Sequence, residues 1–325
     1  MTDIIKFLGE DEFLSVMDTE NRKWRKSEVV RGSLSSFDGT KLSYYVVTPE
    51  NPKASITIVH GMGEFFGKYH EYIWYLYQAG YKVFFMEQRG HGYSEGKCKE
   101  PDLIYIDDYS TYVEDLNCFV EDVVIPESGD LTMLLFAHSM GGAVATYYLE
   151  KHPAFFKAAV LSSPMLKMKA GNINAFAEFA LRAYVFMFRK AKSLAPNQKH
   201  FNPETPFETS SAKSKPRFDY QLNLRKKDDH YQMTGATFGW ALASLKVHRD
   251  IFRHIDRIKI PVDIFTAGQD HLIDPVGYDM FKEKKPDTKI HEFPESRHEI
   301  FNADETSRIK YFKEIFEVLD SDSKL

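Results

Sequence analysis

Three residues far apart in the chain, Ser139, Asp270 and His298, stand in surroundings that suit acyl transfer. In "LLFAHSMGGAVATYY" (134–148) an apolar run stops at one hydroxyl, with Ala137 two places before it and Gly141 two places after. Small residues at those positions let a strand turn into a helix sharply enough to expose the serine and aim the helix N-terminus at it. That positive end favours the negative charge formed during acyl transfer. A serine hydroxyl is a weak nucleophile and needs a base with an orienting acid, in the chain order serine, acid, histidine on a sheet of this kind. "IFTAGQDHLID" offers Asp270, with Asp274 as the competitor; Asp270 is preferred because it lies nearer the strand end. "FPESRHEIFN" offers His298 just before the last helical pattern. Of the twelve histidines only His298 has both position and order; His291 is expected inside a strand and His138 beside the turn. The oxyanion needs two backbone N–H donors, expected from Met140 and from Met62 in "IVHGMGEF" (58–65). Taken alone, Ser139 also fits an ordinary helix cap and the glycine-rich loop a plain turn. The order of the other parts favours chemistry.

These residues need a scaffold that brings strand ends together. "SLSSFDGTKLSYY" reads as a hairpin between strands at 29–35 and 42–48. Strand and helix patterns then alternate: strands at 54–60, 82–88, 131–137 and 156–164, and helices at 69–80, 108–124 and from Ser139 to about Lys151. The rhythm lapses over 165–245 and resumes with strands at 259–268 and 288–294 and a helix at 307–319. The expectation is an α/β fold with a mostly parallel central sheet, helices on both faces and an inserted, mainly helical cap. The core is expected in 1–164 and 246–325, with 1–27 as an N-terminal arm, and the cap in 165–245.

Size and composition allow this. The chain has 325 residues, 43% of them hydrophobic, enough for a large core. A net charge of −5 does not suit nucleic-acid binding. Two cysteines make neither a disulfide framework nor a zinc pattern, and no ligand spacing points to a metal or cofactor. The first residues lack a basic stretch followed by an apolar core, so no leader is expected and the assigned compartment is the cytoplasm. The last three residues, Ser323, Lys324 and Leu325, spell a peroxisomal address only if the source is eukaryotic.

The motifs "HGMGE" (60–64), "EQRGHGYSEG" (87–96), "AHSMGG" (137–142), "AGQDHLID" (267–274) and "RHEIF" (297–301) together resemble the α/β-hydrolase superfamily. More narrowly, they resemble its bacterial lysophospholipase and monoacylglycerol lipase branch, over about residues 28 to 320. The resemblance implies an α/β-hydrolase fold and a Ser139–His298–Asp270 triad cleaving a fatty acyl ester without a cofactor. It gives Arg89 and His91 no catalytic role. Lysophospholipase is the preferred reading; monoacylglycerol lipase or broad carboxylesterase is the alternative, and a catalytically silent ligand-binding protein is the rival outside enzymes.

The cap sets the substrate. "INAFAEFALRAYVFMFRK" (173–190) places Phe176, Phe179, Tyr184 and Met187 on one helical stripe. Phe176, Phe179 and Tyr184 are the expected substrate-binding residues, as a tunnel wall or as a surface dipping into lipid; plain packing on the core remains open. From Arg189 to Lys227 there are ten basic residues against three acids. Such a run is either a solvated loop or an attraction to a phosphate headgroup or anionic membrane surface, hence the expected transient membrane contact. The same charge disfavours an aminopeptidase, whose site should offer acids to a substrate's amine.

Overall fold

The computed structural model describes residues 5–169 and 175–324. The chain opens with α1 (Glu10–Val16), a π-helical turn and α2 (Arg22–Glu28). The expected hairpin follows as β1 (Val29–Ser35) and β2 (Lys41–Val47), then β3 (Ala54–Val59), α3 (His70–Gln78), β4 (Tyr81–Met86) and a short β5 (Leu103–Ile104). Next come α4 (Tyr109–Phe119), α5 (Ile125–Ser128), β6 (Met133–His138), α6 (Met140–Lys151) and β7 (Ala158–Ser162). After β7 lie α7 (Ala175–Met187), α8 (Lys215–Lys227), β8 (Gly235–Ala236) and α9 (Phe238–Ile251). The chain closes with β9 (Val262–Ala267), α10 (Val276–Lys284), β10 (Lys289–Phe293) and α11 (Glu305–Asp322).

Eight strands form one sheet in the order β1-β2-β4-β3-β6-β7-β9-β10. β2 is antiparallel to both its neighbours, and every other pairing in that sheet is parallel. The central strands are buried on both faces, which is why they read as unbroken apolar runs. Alternate residues serve opposite layers. Leu135 and Ala137 join Val59 and the α6 residues Met140, Ala143 and Val144 on one face. Leu134 and Phe136 join Ile56, Ile58, Tyr72 of α3 and Phe312 of α11 on the other. Asp108 caps α4 through the Ser110 N–H, and Asp304 caps α11 through the Ser307 N–H.

The chain leaves the sheet after β7 and returns in β9, its parallel neighbour, so the intervening segment has both ends at one place. The expected boundary at 245/246 falls inside α9, one continuous helix. Ala243, Val247 and Ile251 of α9 share the core with α6, and Tyr109 of α4 meets Ser244 at 2.9 Å. The segment is also tied down by parallel pairing of β5 with β8.

The described part of the expected N-terminal arm, from residue 5 on, is largely helical and packs on the core. Ile5, Leu8, Phe13 and Met17 are buried. The Leu8 carbonyl accepts from Arg217 at 3.1 Å and from Arg308 at 2.7 Å. Two of the ten basic residues therefore leave the expected surface patch. Arg217 is 1% exposed and bridges Glu71 and Glu10, and Arg225 donates to the Gly63 carbonyl. Among the described residues no helix is long and apolar enough to cross a membrane. Leu325 of the terminal tripeptide, and residues 173–174 of the expected cap helix, lie outside the described residues.

Candidate active site

Ser139 sits between the last residue of β6 and the first of α6 with φ of 54°, a left-handed conformation costly for a serine and imposed by the tight turn. The turn's need for small residues is unequal. A Cβ on Gly141 would lie 2.1 Å from the Val59 carbonyl oxygen, so only glycine fits. Ala137 is fully buried in β6, and its methyl packs into the core.

The three expected residues converge from the ends of β6, β9 and β10. His298 Nε2 lies 2.8 Å from Ser139 Oγ, and Nδ1 lies 2.6 Å from Asp270 Oδ2. Asp270 Oδ1 accepts from the Leu272 and Ile273 N–H groups, which fixes the carboxylate. Burial alone would raise the Asp270 pKa, but His298 and these N–H donors hold it below the usual value. Burial lowers the His298 pKa and outweighs the opposing pull of Asp270, which suits a neutral base. Asp274 is turned away and pairs with Lys167 at 2.9 Å. A hydroxyl, an imidazole and a carboxylate are thus joined end to end, an arrangement that could remove a serine proton.

Met62 and Met140 line the same cavity as Ser139. Met140 is the first residue of α6, so its N–H has no acceptor within the helix. Trp240 Nε1 lies 3.3 Å from Met140 Sδ and packs its side chain away.

Glu64 escaped the reading from sequence. It is 3% exposed, and its Oε2 accepts from the Gly61 N–H at 2.5 Å and from Tyr69 OH at 2.6 Å. Its Oε1 pairs with Lys68 at 2.7 Å, and Lys68 pairs in turn with Glu299 at 2.7 Å. His138 Nδ1 approaches the same oxygen at 3.1 Å without hydrogen-bond alignment, so that contact is electrostatic. Burial would raise the Glu64 pKa, yet Lys68 and His138 hold it well below the usual range. One buried carboxylate thus ties the Met62 loop, the turn before Ser139 and the residue after His298 together. The glutamate of "HGMGE" was the available signal. Nearby His60 accepts from the Gln88 N–H through Nε2, and burial pushes its pKa down to about 4.

The expected substrate-binding residues are not brought to the cavity. Phe176, Phe179 and Tyr184 are 79%, 70% and 44% exposed on α7, whose buried residue is Val185 and whose cavity-lining residue is Leu181. The stripe residues share the exposed side of α7, while β8 and α9 supply apolar residues to the cavity wall. The cavity, about 580 Å³, is walled by Met165, Leu181, Phe238, Trp240, Leu242 and Leu245. Among the described residues no group of three or more His, Cys, Asp or Glu could hold a metal ion.

Comparison with known proteins agrees with this fold. The chain is 27% identical over 299 residues to a protein named probable lysophospholipase L2 from Haemophilus influenzae, covering 89% of this chain and 92% of that one. It is 25% identical over 276 residues to a protein named monoacylglycerol lipase from Mycolicibacterium smegmatis, covering 84% and 91%. A thermostable carboxyl esterase from Bacillus coagulans shares the fold with a TM-score of 0.73 at 19% identity, covering 91% of this chain and 99% of the other. The model of the Hydrolase_4 family, described as serine aminopeptidase, S33, matches residues 50–305, and the chain belongs to that family of α/β-hydrolases.

Proposed function

We propose that this protein is a serine hydrolase that cleaves the carboxylic ester of a single-chain acyl lipid, with a lysophospholipid as the preferred substrate. One observation carries the reading: the Ser139–His298–Asp270 chain opens into a cavity walled by aliphatic and aromatic side chains. Relatives named for lysophospholipid and monoacylglycerol cleavage support the same substrate class. In the proposed mechanism, Ser139 Oγ attacks the ester carbonyl while His298 Nε2 takes its proton. His298 then delivers that proton to the leaving alcohol, and water enters by the reverse path. Asp270 holds the imidazole tautomer and stabilises the imidazolium. The Met62 and Met140 amides hold the oxyanion.

The segment 165–245, extended through α9, serves as the cap in this reading. The outer face of α7 carries Phe176, Phe179, Phe186, Met187 and Phe188, all exposed, beside Arg189, Lys190 and Lys192. That combination suits shallow insertion into an anionic lipid surface, which would deliver a single-chain lipid to the cavity from the cytoplasmic side of a membrane.

An aminopeptidase is the second reading, since the family description names one and two acids, Glu64 and Glu299, line the cavity. Both are already engaged: Glu64 by four donors or charges, Glu299 by Lys68 and Asn302. Neither is left for a substrate's ammonium group. The test is hydrolysis of palmitoyl lysophosphatidylcholine, palmitoylglycerol, p-nitrophenyl palmitate and aminoacyl p-nitroanilides by wild type and Ser139→Ala. Long-chain ester turnover that falls by roughly four orders of magnitude or more in the variant supports the proposal. Turnover of the anilides alone, or failure of folded protein to react with a fluorophosphonate, refutes it.

A further inference from the structure

Two lysines line the catalytic cavity, and they stand in opposite electrostatic states. Lys68 lies between Glu64 and Glu299 at 2.7 Å from each, so its charge is neutralised before any ligand arrives. Lys169 forms no ion pair with any carboxylate among the described residues. Among the described residues its ammonium makes one hydrogen bond, to the Asp270 carbonyl oxygen at 2.6 Å. An ammonium has three donors, so two remain. The neighbouring acid, Asp274, is paired with Lys167 at 2.9 Å, and Lys169 adds only the last and smallest of the pulls on that carboxyl. Backbone contacts fix the position of Lys169: its N–H donates to the Leu272 carbonyl at 2.8 Å, and Met168 bridges Ile273. His271 lines the cavity on the same loop.

We infer that Lys169 is the phosphate-recognising residue of this site, the one that separates a lysophospholipid from a neutral monoacylglycerol. The inference rests on the proposed lipid-ester activity. In a lysophospholipid the phosphate is one glycerol skeleton from the ester carbonyl. Lys169 lines the same cavity as Ser139, and its ammonium bonds to the backbone of the same Asp270 that pairs with His298. The acyl chain takes the apolar wall, and the phosphate meets a cation at the lip that forms no ion pair with a carboxylate among the described residues. Ammonium–phosphate hydrogen bonds are of the strong, charge-assisted kind.

The experiment compares wild type, Lys169→Gln and Lys169→Arg on palmitoyl lysophosphatidylcholine and palmitoylglycerol in the same detergent. The readout is the ratio of the two kcat/KM values. Palmitoylglycerol lacks the phosphate, so it absorbs any loss that comes from disturbing Asp270. In Lys169→Gln the ratio is expected to fall about tenfold, equivalent to about 1.4 kcal/mol. The loss should lie mainly in KM, because the phosphate gains no charge during acyl transfer. Lys169→Arg should keep the ratio within about threefold of wild type, since a guanidinium also pairs with phosphate. A ratio unchanged in Lys169→Gln while both substrates slow together would overturn the inference and leave Lys169 as a support for Asp270. Wild-type turnover of palmitoylglycerol without lysophospholipid turnover would also overturn it, with the lipid-ester activity intact. Turnover of neither lipid would instead remove the proposed function itself.

Discussion

Replacing Glu64 by Gln isolates what one buried charge does for this site. The carboxylate receives the Gly61 N–H and Tyr69 OH on one oxygen and faces Lys68 and His138 with the other. Glutamine has the same shape but only one accepting atom. If its oxygen faces Lys68, its amide N–H groups meet the Gly61 N–H; if it turns over, they meet the Lys68 ammonium. Either way one donor faces another inside the protein. Half-breaking a buried ion pair costs about 3–5 kcal/mol. Unfolding entropy of about 2.1 cal/mol/K per residue makes that roughly 4–7 °C of Tm for a chain this long. The functional cost follows a different route. Gly61 precedes Met62, whose amide is the proposed oxyanion donor, and losing one such donor costs about 10²–10³ in kcat. Arg225 still holds the Gly63 carbonyl from the other side, so the low end, about 10²-fold, is expected. The assays are thermal unfolding and kcat on p-nitrophenyl butyrate. A lowered Tm with kcat within threefold of wild type would refute the link between Glu64 and the oxyanion loop. An unchanged Tm would refute the accounting of the buried charge.

Asp270→Asn should lower kcat by about 10⁴, because an amide does not select the imidazole tautomer that Asp270 does, and wild-type kcat/KM should show an acid limb below pH 6.5, since burial lowers the His298 pKa from that value; a limb above pH 6.5 would contradict the burial. Gly141→Ala should abolish soluble, folded protein or cut activity at least ~100-fold, because its Cβ would press on the Val59 and His60 carbonyls; a fully active variant would show the turn to be looser than described. Glu150 is 3% exposed on α6 with neither carboxylate oxygen hydrogen-bonded, and burial pushes its pKa up to about 8. The unfolded chain ionises this group near 4.5, so it contributes stability at low pH that is lost as pH rises toward 8. Glu150→Gln should therefore match wild type in Tm at pH 5 and exceed it at pH 8.5; a pH-independent difference would remove the explanation. Phe179→Ser with Phe186→Ser should weaken co-sedimentation with phosphatidylglycerol vesicles at least ~tenfold, from about 1.5–3 kcal/mol per fully buried phenyl side chain; equal binding would exclude α7 as the docking face.

Much of the fold was legible because burial on both faces of a parallel sheet leaves unbroken apolar runs. β1 and α6 fall where the pattern put them, and the other main strands begin and end within a few residues of their expected places. α10 went unread: its nine residues follow Pro275 and are largely polar on the outside, so no long periodicity announces it. The short β5 and β8, two residues each, have no local signature at all. Their pairing is decided by where the segment after β7 is carried.

Charge was the least legible property. Arg217 and Arg225 read as members of a basic surface run, yet α8 turns them inward to Glu71 and to the Met62 loop. Sequence counts charges without direction. The aromatic stripe of α7 shows the same limit from the other side: periodicity put Phe176, Phe179 and Tyr184 on one face, but which face meets the cavity depends on what α9 already fills.

By itself the sequence named the residues for the proposed chemistry. Steric rules at a tight turn, and the order serine, acid, histidine, depend only on neighbours along the chain and on strand ends that must lie together in a parallel sheet. Tertiary structure alone decided the electrostatics around that chemistry. It set Asp270 against His298 and Asp274 against Lys167, neutralised Lys68 between two carboxylates, and among the described residues left Lys169 without an ion pair. Ion pairing is fixed by distances of a few ångströms between residues far apart in sequence, and no local pattern encodes those distances.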